Sequence, residues 1–269
     1  MSEANKRIPS PLRERARVRG DQLNSPSSAI CDGDFSLKGE VKDREKVPVI
    51  TVDGPSGTGK GTISQMLAKQ LGWHYLDSGA LYRVLAWTAI EQQVAFDQDE
   101  QLAVLAQQLA VEFIVNNGIE SQIKCGAIDV TTAIRTAEVT QASSIISAKP
   151  LVRQALLERQ RAFRQHPGLV TDGRDMGTVI FPDAPLKLFM TADPNERARR
   201  RYNELKSKGI DVNLPTVLDA LNQRDTRDEE RATAPLKPAV DAILIDTTAL
   251  NIEETFQLVM QKVREQHLI

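Results

Sequence analysis

From Val47 onward the chain alternates between two hydrophobic periods. Short, mostly apolar runs occur at Val47–Val52, Trp73–Leu76, Leu169–Asp172, Leu186–Met190 and Ala242–Asp246. Runs of this length and β-branched content read as strands buried on both faces of a parallel sheet. Between them lie segments of helical period: Lys60–Leu71, a stretch carrying Leu81, Val84, Leu85 and Trp87, Glu100–Leu109, Pro150 to about Gln165, a helix opened by Asp193-Pro194, Leu214–Arg231 and Ile252–Gln266. Strands alternating with helices predict an α/β fold with a doubly wound, mainly parallel sheet. Residues 100–146 break the alternation. After the Glu100–Leu109 helix, Val111–Asn116 and Ser121–Lys124 alternate around Asn116-Asn117-Gly118, a strong hairpin signal, and a second turn at Cys125-Gly126 leads to Ile128–Val130. A small antiparallel sheet is therefore expected as an insertion.

Residues 1–46 have neither period. Large apolar residues are sparse there, and Asn24-Ser25-Pro26-Ser27-Ser28 reads as linker. Such a stretch cannot bury enough surface to offset its ordering entropy, so a disordered tail is expected. Arg13, Arg15, Arg17 and Arg19 could form a basic patch or an organelle-targeting segment, but Glu14 interrupts them and Glu3 and Asp21 flank them, which favours a solvated tail. The whole chain is 41% hydrophobic and 26% charged with a net charge of −2, so no basic excess points to nucleic acid. No apolar run approaches the roughly 20 residues that span a bilayer, and the N-terminus lacks a signal-peptide core. Two distant cysteines, Cys31 and Cys125, fit a reducing compartment better than a disulfide framework. A cytoplasmic monomer with no membrane or nucleic-acid partner is expected. His74, His166 and His267 have no metal-ligand spacing and read as structural or surface residues.

The chemistry-bearing residues gather where strands end. The first strand empties into Gly54-Pro55-Ser56-Gly57-Thr58-Gly59-Lys60-Gly61-Thr62 and then a helix. This is the strand, glycine loop and helix of a phosphate-binding loop, in which backbone N–H groups and the helix N-terminus face an anion. Lys60 supplies a point charge for the β/γ-phosphates, and Thr62 a hydroxyl for Mg²⁺ or a phosphate oxygen. The hydroxyl stands one place later than the usual Lys-Ser/Thr, after Gly61. The second strand runs into Asp77-Ser78-Gly79-Ala80-Leu81-Tyr82-Arg83, where Asp77 or Ser78 can cap the helix and Arg83 stands one turn in, near an anion site. The Leu169–Asp172 strand runs into Gly173-Arg174-Asp175-Met176-Gly177-Thr178 at the C-terminal edge of the sheet, the usual ligand crevice. There Asp172 could hold Mg²⁺ or its waters and Arg174 could reach phosphate, the alternative being a local salt-bridge turn. Arg197, Arg200 and Arg201 share a helix face past the Leu186–Met190 strand, and Arg224, Asp225, Arg227, Asp228 and Arg231 follow on the next helix.

Together GPSGTGKGT, DSGALYR, DGRDMGT and Arg224–Arg231 with Ala234-Pro235-Leu236 resemble the bacterial cytidylate kinases, over a span from about Val47 to the C-terminus. Lys-Gly-Thr in place of Lys-Ser/Thr is a habit of nucleoside monophosphate kinases. The resemblance implies ATP on residues 54–62, Mg²⁺ as its cofactor, and CMP or dCMP as acceptor. It implies Lys60, Arg174 and Arg224 in catalysis, with Ser78, Arg83, Arg174 and Arg224 on the acceptor phosphate. It further implies Ser144, Arg153 and Asp175 on the cytosine and Asp228 near the ribose. Arg197, Arg200 and Arg201 would belong to a lid over ATP. The corresponding division is a core of 47–76, 147–193 and 212–269, a monophosphate-binding insertion of 77–146 and a lid of 194–211. Another small-molecule P-loop kinase remains an alternative. A GTPase-like switch is disfavoured, because the guanine-reading Asn-Lys-x-Asp is absent.

Overall fold

A computed structural model describes residues 47–114 and 122–268. The expected tail, Cys31 and the Asn116-Asn117-Gly118 turn lie outside the described residues. Eight strands and eight α-helices follow in chain order among the described residues. They are β1 Val49–Asp53, α1 Lys60–Leu71, β2 His74–Asp77, α2 Ser78–Glu91, α3 Asp99–Gln108, β3 Val111–Ile114, β4 Gln122–Cys125, β5 Ile128–Asp129, α4 Ala137–Ile146, α5 Pro150–Ala162, β6 Leu169–Gly173, β7 Leu186–Thr191, α6 Pro194–Ser207, α7 Leu214–Glu229, β8 Ile243–Asp246 and α8 Ile252–Glu265.

Five strands form one parallel sheet in the order β2-β6-β1-β7-β8, and β3-β4-β5 form the small antiparallel sheet. Both sheets match the sequence reading. Side chains alternate across the large sheet, and each set has its own helices. Val49, Leu76 and Leu169 pack under α2, α3, α4 and α5, whereas Ile50, Val52, Val170, Leu188 and Met190 pack against Ile63 and Leu67 of α1 and Val259 and Val263 of α8. The central strands β6, β1 and β7 are covered on both sides, which is why their runs are mostly apolar, whereas the edge strand β8 exposes Leu244.

Helices α6 and α7 stand past the end of β7 and share a minor core of Ala198, Val217 and Leu221. Local caps fix where the helices start. Asp77 accepts from Ala80 N–H, Asp193 from Asn195 and Glu196 N–H, and Asn251 and Glu254 close a capping box on α8. Helix α5 ends at Ala162, a few residues before the predicted Gln165, and β6 is followed by a single π-helical turn, Met176–Ile180, where only a loop was expected. Register sets Asp77 opposite Asp172 and Asp53 opposite Gly173, so the C-terminal edge of the sheet carries its carboxylates beside the glycine loop.

Candidate active site

The glycine loop leaves β1 through Gly54 at φ 147, and a Cβ there would stand 2.1 Å from the Met190 carbonyl oxygen of β7. Only glycine permits both the conformation and the approach. At Gly57, φ 83, a Cβ would come within 3.0 Å of the Arg197 side chain, so the same freedom lets α6 lie on the loop. Helix α1 then starts behind Gly59 with no side-chain cap and no acidic residue in its first turn. Its N-terminal N–H groups and positive dipole end face the loop. Lys60 folds back, donating to Pro55 O at 3.0 Å, and Thr58 Oγ1 donates to the same carbonyl at 3.2 Å.

Cations crowd the region in front of this loop. Burial lowers the Lys60 ammonium to a pKa of about 7, with Arg174 and Arg224 adding repulsion and Asp172 opposing it. Arg224 falls to about 9 for the same reasons, burial first and then Arg174 and Arg83. Arg83 is also lowered by burial, opposed by Asp77 and assisted by Arg201, Arg135 and Arg174. The nearest buried carboxylate, Asp172, accepts from Tyr75 Oη at 2.7 Å and is itself raised to about 7 by burial and the neighbouring Asp77. Asp228 and Asp225 offset only part of the repulsion at Arg224, which stays lowered, an arrangement suited to a polyanion.

A cleft partly open to solvent lies beside the cations. Ser78, Arg153, Arg174, Asp175, Arg224 and Asp228, all singled out from sequence, line it together. Arg153 and Asp175 form a buried ion pair in its wall; Arg153 also donates to Ser147 O at 3.1 Å and lies 5.8 Å from the Tyr82 ring centroid. Arg174 spans the gap to the glycine loop, donating to Ser56 Oγ and to Asp228, each at 2.7 Å, and the Asp228 carboxylate raises its pKa against the effect of burial. Ser78 donates to Gln160 at 2.8 Å. Arg224 Nε and Arg231 Nη2 are buried with no hydrogen-bond partner, two donors available to a ligand.

Other predicted residues sit elsewhere. Arg83 does not line the cleft; it donates to Thr140 Oγ1 at 2.9 Å and to Ile134 O, tying α2 to the segment around α4. Ser144 accepts from Arg227 at 2.8 Å, and Ser143 and Ser147 face the cleft instead. The three arginines of α6 do not converge. Arg197 pairs with buried Asp225 and donates to Ser56 O at 3.2 Å, Arg200 donates to Thr247 O at 2.5 Å, and Arg201 turns away to Glu204 at 2.6 Å.

Sequence reasoning assigned no role to Tyr82, Ser147, Asp53 or Arg231. Arg231 stands seven residues past Arg224 on the stretch expected to be helical, but α7 ends at Glu229 and Arg231 reaches the cleft from just beyond its C-cap. No helix among the described residues is long and apolar enough to cross a membrane.

Residues 50–265 match the family described as cytidylate kinase. A cytidylate kinase of Stutzerimonas stutzeri is 55% identical over 223 residues, 82% of this chain and 97% of that protein. Cytidylate kinases of Shewanella loihica and Pseudomonas entomophila are 52% and 53% identical, covering 82% and 83% of this chain and 96% and 99% of their own lengths. A crystal structure from Thermus thermophilus aligns over 82% of this chain and 97% of its own at 19% identity, with a TM-score of 0.40 that adds nothing to the assignment. With the glycine loop, the arginine-lined cleft and these identities in agreement, the chain belongs to the cytidylate kinase family.

Proposed function

We propose that this protein transfers the γ-phosphoryl group of ATP to CMP or dCMP, giving the diphosphate and ADP. The observation that carries the reading is the convergence of Lys60, Arg174 and Arg224, buried and mutually repelling, between the glycine loop and the cleft. Residues Gly54 to Thr62 hold the donor triphosphate, and Ser78, Arg174, Arg224 and Arg231 take the acceptor phosphate, with Arg83 in reserve one turn along α2. Arg174 reaches from Ser56 on the donor side to Asp228 on the acceptor side, so it is placed to neutralise charge passing between the two phosphates. The attacking oxygen belongs to a phosphate already anionic at neutral pH, so the site needs positioning and charge neutralisation rather than a general base.

Asp175 accepts from the cytosine N4 amino group while Arg153 donates to N3 and O2. Ser144 would need its hydroxyl released from Arg227 to join them, and Asp228 lies where the ribose would sit. The donor set fits Mg²⁺: the Asp172 carboxylate faces Gly61 at the loop–helix junction, and the Thr62 hydroxyl stands next in the chain, both hard oxygen ligands. When bound with the triphosphate, the ion would supply charge neutralisation at the transferred phosphoryl group. Residues 194–211, with Arg197, Arg200 and Arg201, form the proposed lid over the donor, residues 77–146 the acceptor-binding insertion, and the remainder of 47–269 the core. The test is coupled ADP release with ATP and each nucleoside monophosphate in turn. CMP or dCMP should be the preferred acceptor, and Lys60→Ala should abolish most turnover while leaving the protein folded; a preferred acceptor with another base, or a Lys60→Ala enzyme near wild-type turnover, refutes the proposal.

A further inference from the structure

We infer that Asp53 is a positioning residue for base reading: its carboxylate holds the Arg174–Asp175 loop in place by accepting the backbone N–H groups of Met176 and Gly177. The inference rests on the CMP reading above and concerns a residue that takes no part in that chemistry. Asp53 is 5% exposed at the end of β1, and its two oxygens accept from Met176 N at 2.9 Å and Gly177 N at 2.8 Å. These are the two residues directly after Asp175, and they open the π-helical turn Met176–Ile180, which has no side-chain cap of its own. Asp53 is that cap, supplied from another strand. The carbonyl of Asp175 accepts from Val179 N at 2.9 Å, so the turn that Asp53 anchors also fixes the backbone of the base-reading residue.

Strand alternation says which substrate Asp53 affects. Ile50 and Val52 point to the face packed by α1, the helix of the glycine loop. Asp53 shares the other face with Val49 and Thr51. On that face the loop has no slack: a Cβ on Gly177 would meet Thr51 Oγ1 at 2.8 Å and Lys187 at 3.2 Å. Burial raises the Asp53 carboxyl to about 6 while the two N–H bonds pull it down, so a charged group is kept where burial disfavours it. Two acceptor oxygens explain this. An asparagine offers one, and its NH₂ would face the second N–H.

The experiment compares wild type with Asp53→Asn, measuring kcat and KM for CMP and UMP at saturating ATP, KM for ATP at saturating CMP, and Tm. Losing one hydrogen bond to a charged acceptor should raise KM for CMP roughly tenfold. The CMP-over-UMP ratio of kcat/KM should narrow. KM for ATP should rise less than KM for CMP, because α1 packs on the opposite face and the glycine loop is reached only through the Arg174–Ser56 bond. Gly177→Ala pushes the same loop off Thr51 and should shift the same parameters in the same direction; it carries the test if Asp53→Asn does not fold. An Asp53→Asn enzyme whose base ratio is unchanged, or whose KM for ATP rises as much as that for CMP, overturns the inference and leaves the proposed function standing. A wild-type enzyme inactive on CMP overturns both.

Discussion

Asp175 and Arg153 answer each other's charge inside the cleft wall, 3% and 7% exposed, and that burial makes the proposed base reader a liability to stability as well. Uracil presents an O4 acceptor to the Asp175 carboxylate and an N3 donor to Arg153, and a buried mispaired group costs about 1–3 kcal/mol, so CMP should exceed UMP by at least roughly tenfold in kcat/KM. Asp175→Asn can turn its amide to donate to O4, so steady-state kinetics on both nucleotides should show a narrower ratio, mainly through loss of CMP activity. An unchanged ratio would remove Asp175 from base recognition. The same substitution leaves the Arg153 guanidinium buried without its counter-charge, so thermal unfolding should also show a loss of stability, up to about 3–5 kcal/mol. Asp175 was placed at the sheet edge from sequence because its motif follows directly on β6, whereas Arg153, inside α5, entered only through the family resemblance. The serines of α4 were not legible in this way. Ser143, Ser144 and Ser147 lie within five residues, and which of them faces the cleft depends on the rotation of α4, set by how Val139, Ala142 and Ile146 pack beneath it. The role of Asp53 was hidden for a similar reason, since its partners lie 123 and 124 residues away.

Among the elements, α6 shows where a sequence face and a structural face part. Arg197, Arg200 and Arg201 share a side of the helical wheel, yet α6 is wedged between the glycine loop and α7, so its arginines meet three different environments. Arg197 reaches both Ser56 O and buried Asp225, linking the glycine loop to the helix that carries Arg224 and Asp228. Arg197→Ala would leave Asp225 buried with no counter-charge, which costs about 3–5 kcal/mol. At about 2–4 °C per kcal/mol for a domain of this size, Tm should fall by roughly 6–20 °C. Arg201 pairs with half-exposed Glu204, and such a pair is worth at most about 1 kcal/mol, so Arg201→Ala should leave Tm within about 4 °C of wild type. Differential scanning calorimetry of the two variants separates these expectations; equal shifts would mean that Arg197 is no anchor. The element boundaries themselves were readable from caps and periods, with Asp77, Asp193 and Pro150 standing where helices were expected to open. The π-helical turn after Asp175 was not readable, because its cap comes from Asp53 on another strand rather than from its own sequence.

At the scale of the whole molecule we propose that the folding unit begins at Val47, where the described contacts of the β1 lead-in start. Val47 is 2% exposed, its carbonyl accepts from Arg164 Nε at 2.7 Å, and the neighbouring Pro48 carbonyl accepts from Leu169 N at 3.0 Å. The first bond ties the lead-in of β1 to the segment between α5 and β6, and the second ties it to β6 itself. The family match starts at residue 50, and the relatives named above align over 82–83% of this chain while covering nearly all of their own length. A protein beginning at Val47 therefore retains every contact described here, and in reducing buffer its Tm should stay within about 2–4 °C of the full chain, the shift produced by roughly 1 kcal/mol. Its KM values for ATP and CMP should be unchanged, because every residue assigned to the proposed site lies between Gly54 and Arg231. A protein beginning at Thr51 removes Val47, Pro48, Val49 and Ile50, leaves the Arg164 guanidinium short of a buried acceptor and strips two fully buried side chains from the central strand. Losing buried side chains of that size costs about 1.5–3 kcal/mol each before any cavity term, so this shorter protein should be unfolded or inactive by circular dichroism and ADP-release assay. A large loss of stability or activity in the protein beginning at Val47 would instead show that residues 1–46 dock on the kinase body, and the unit would have to be redrawn to include them.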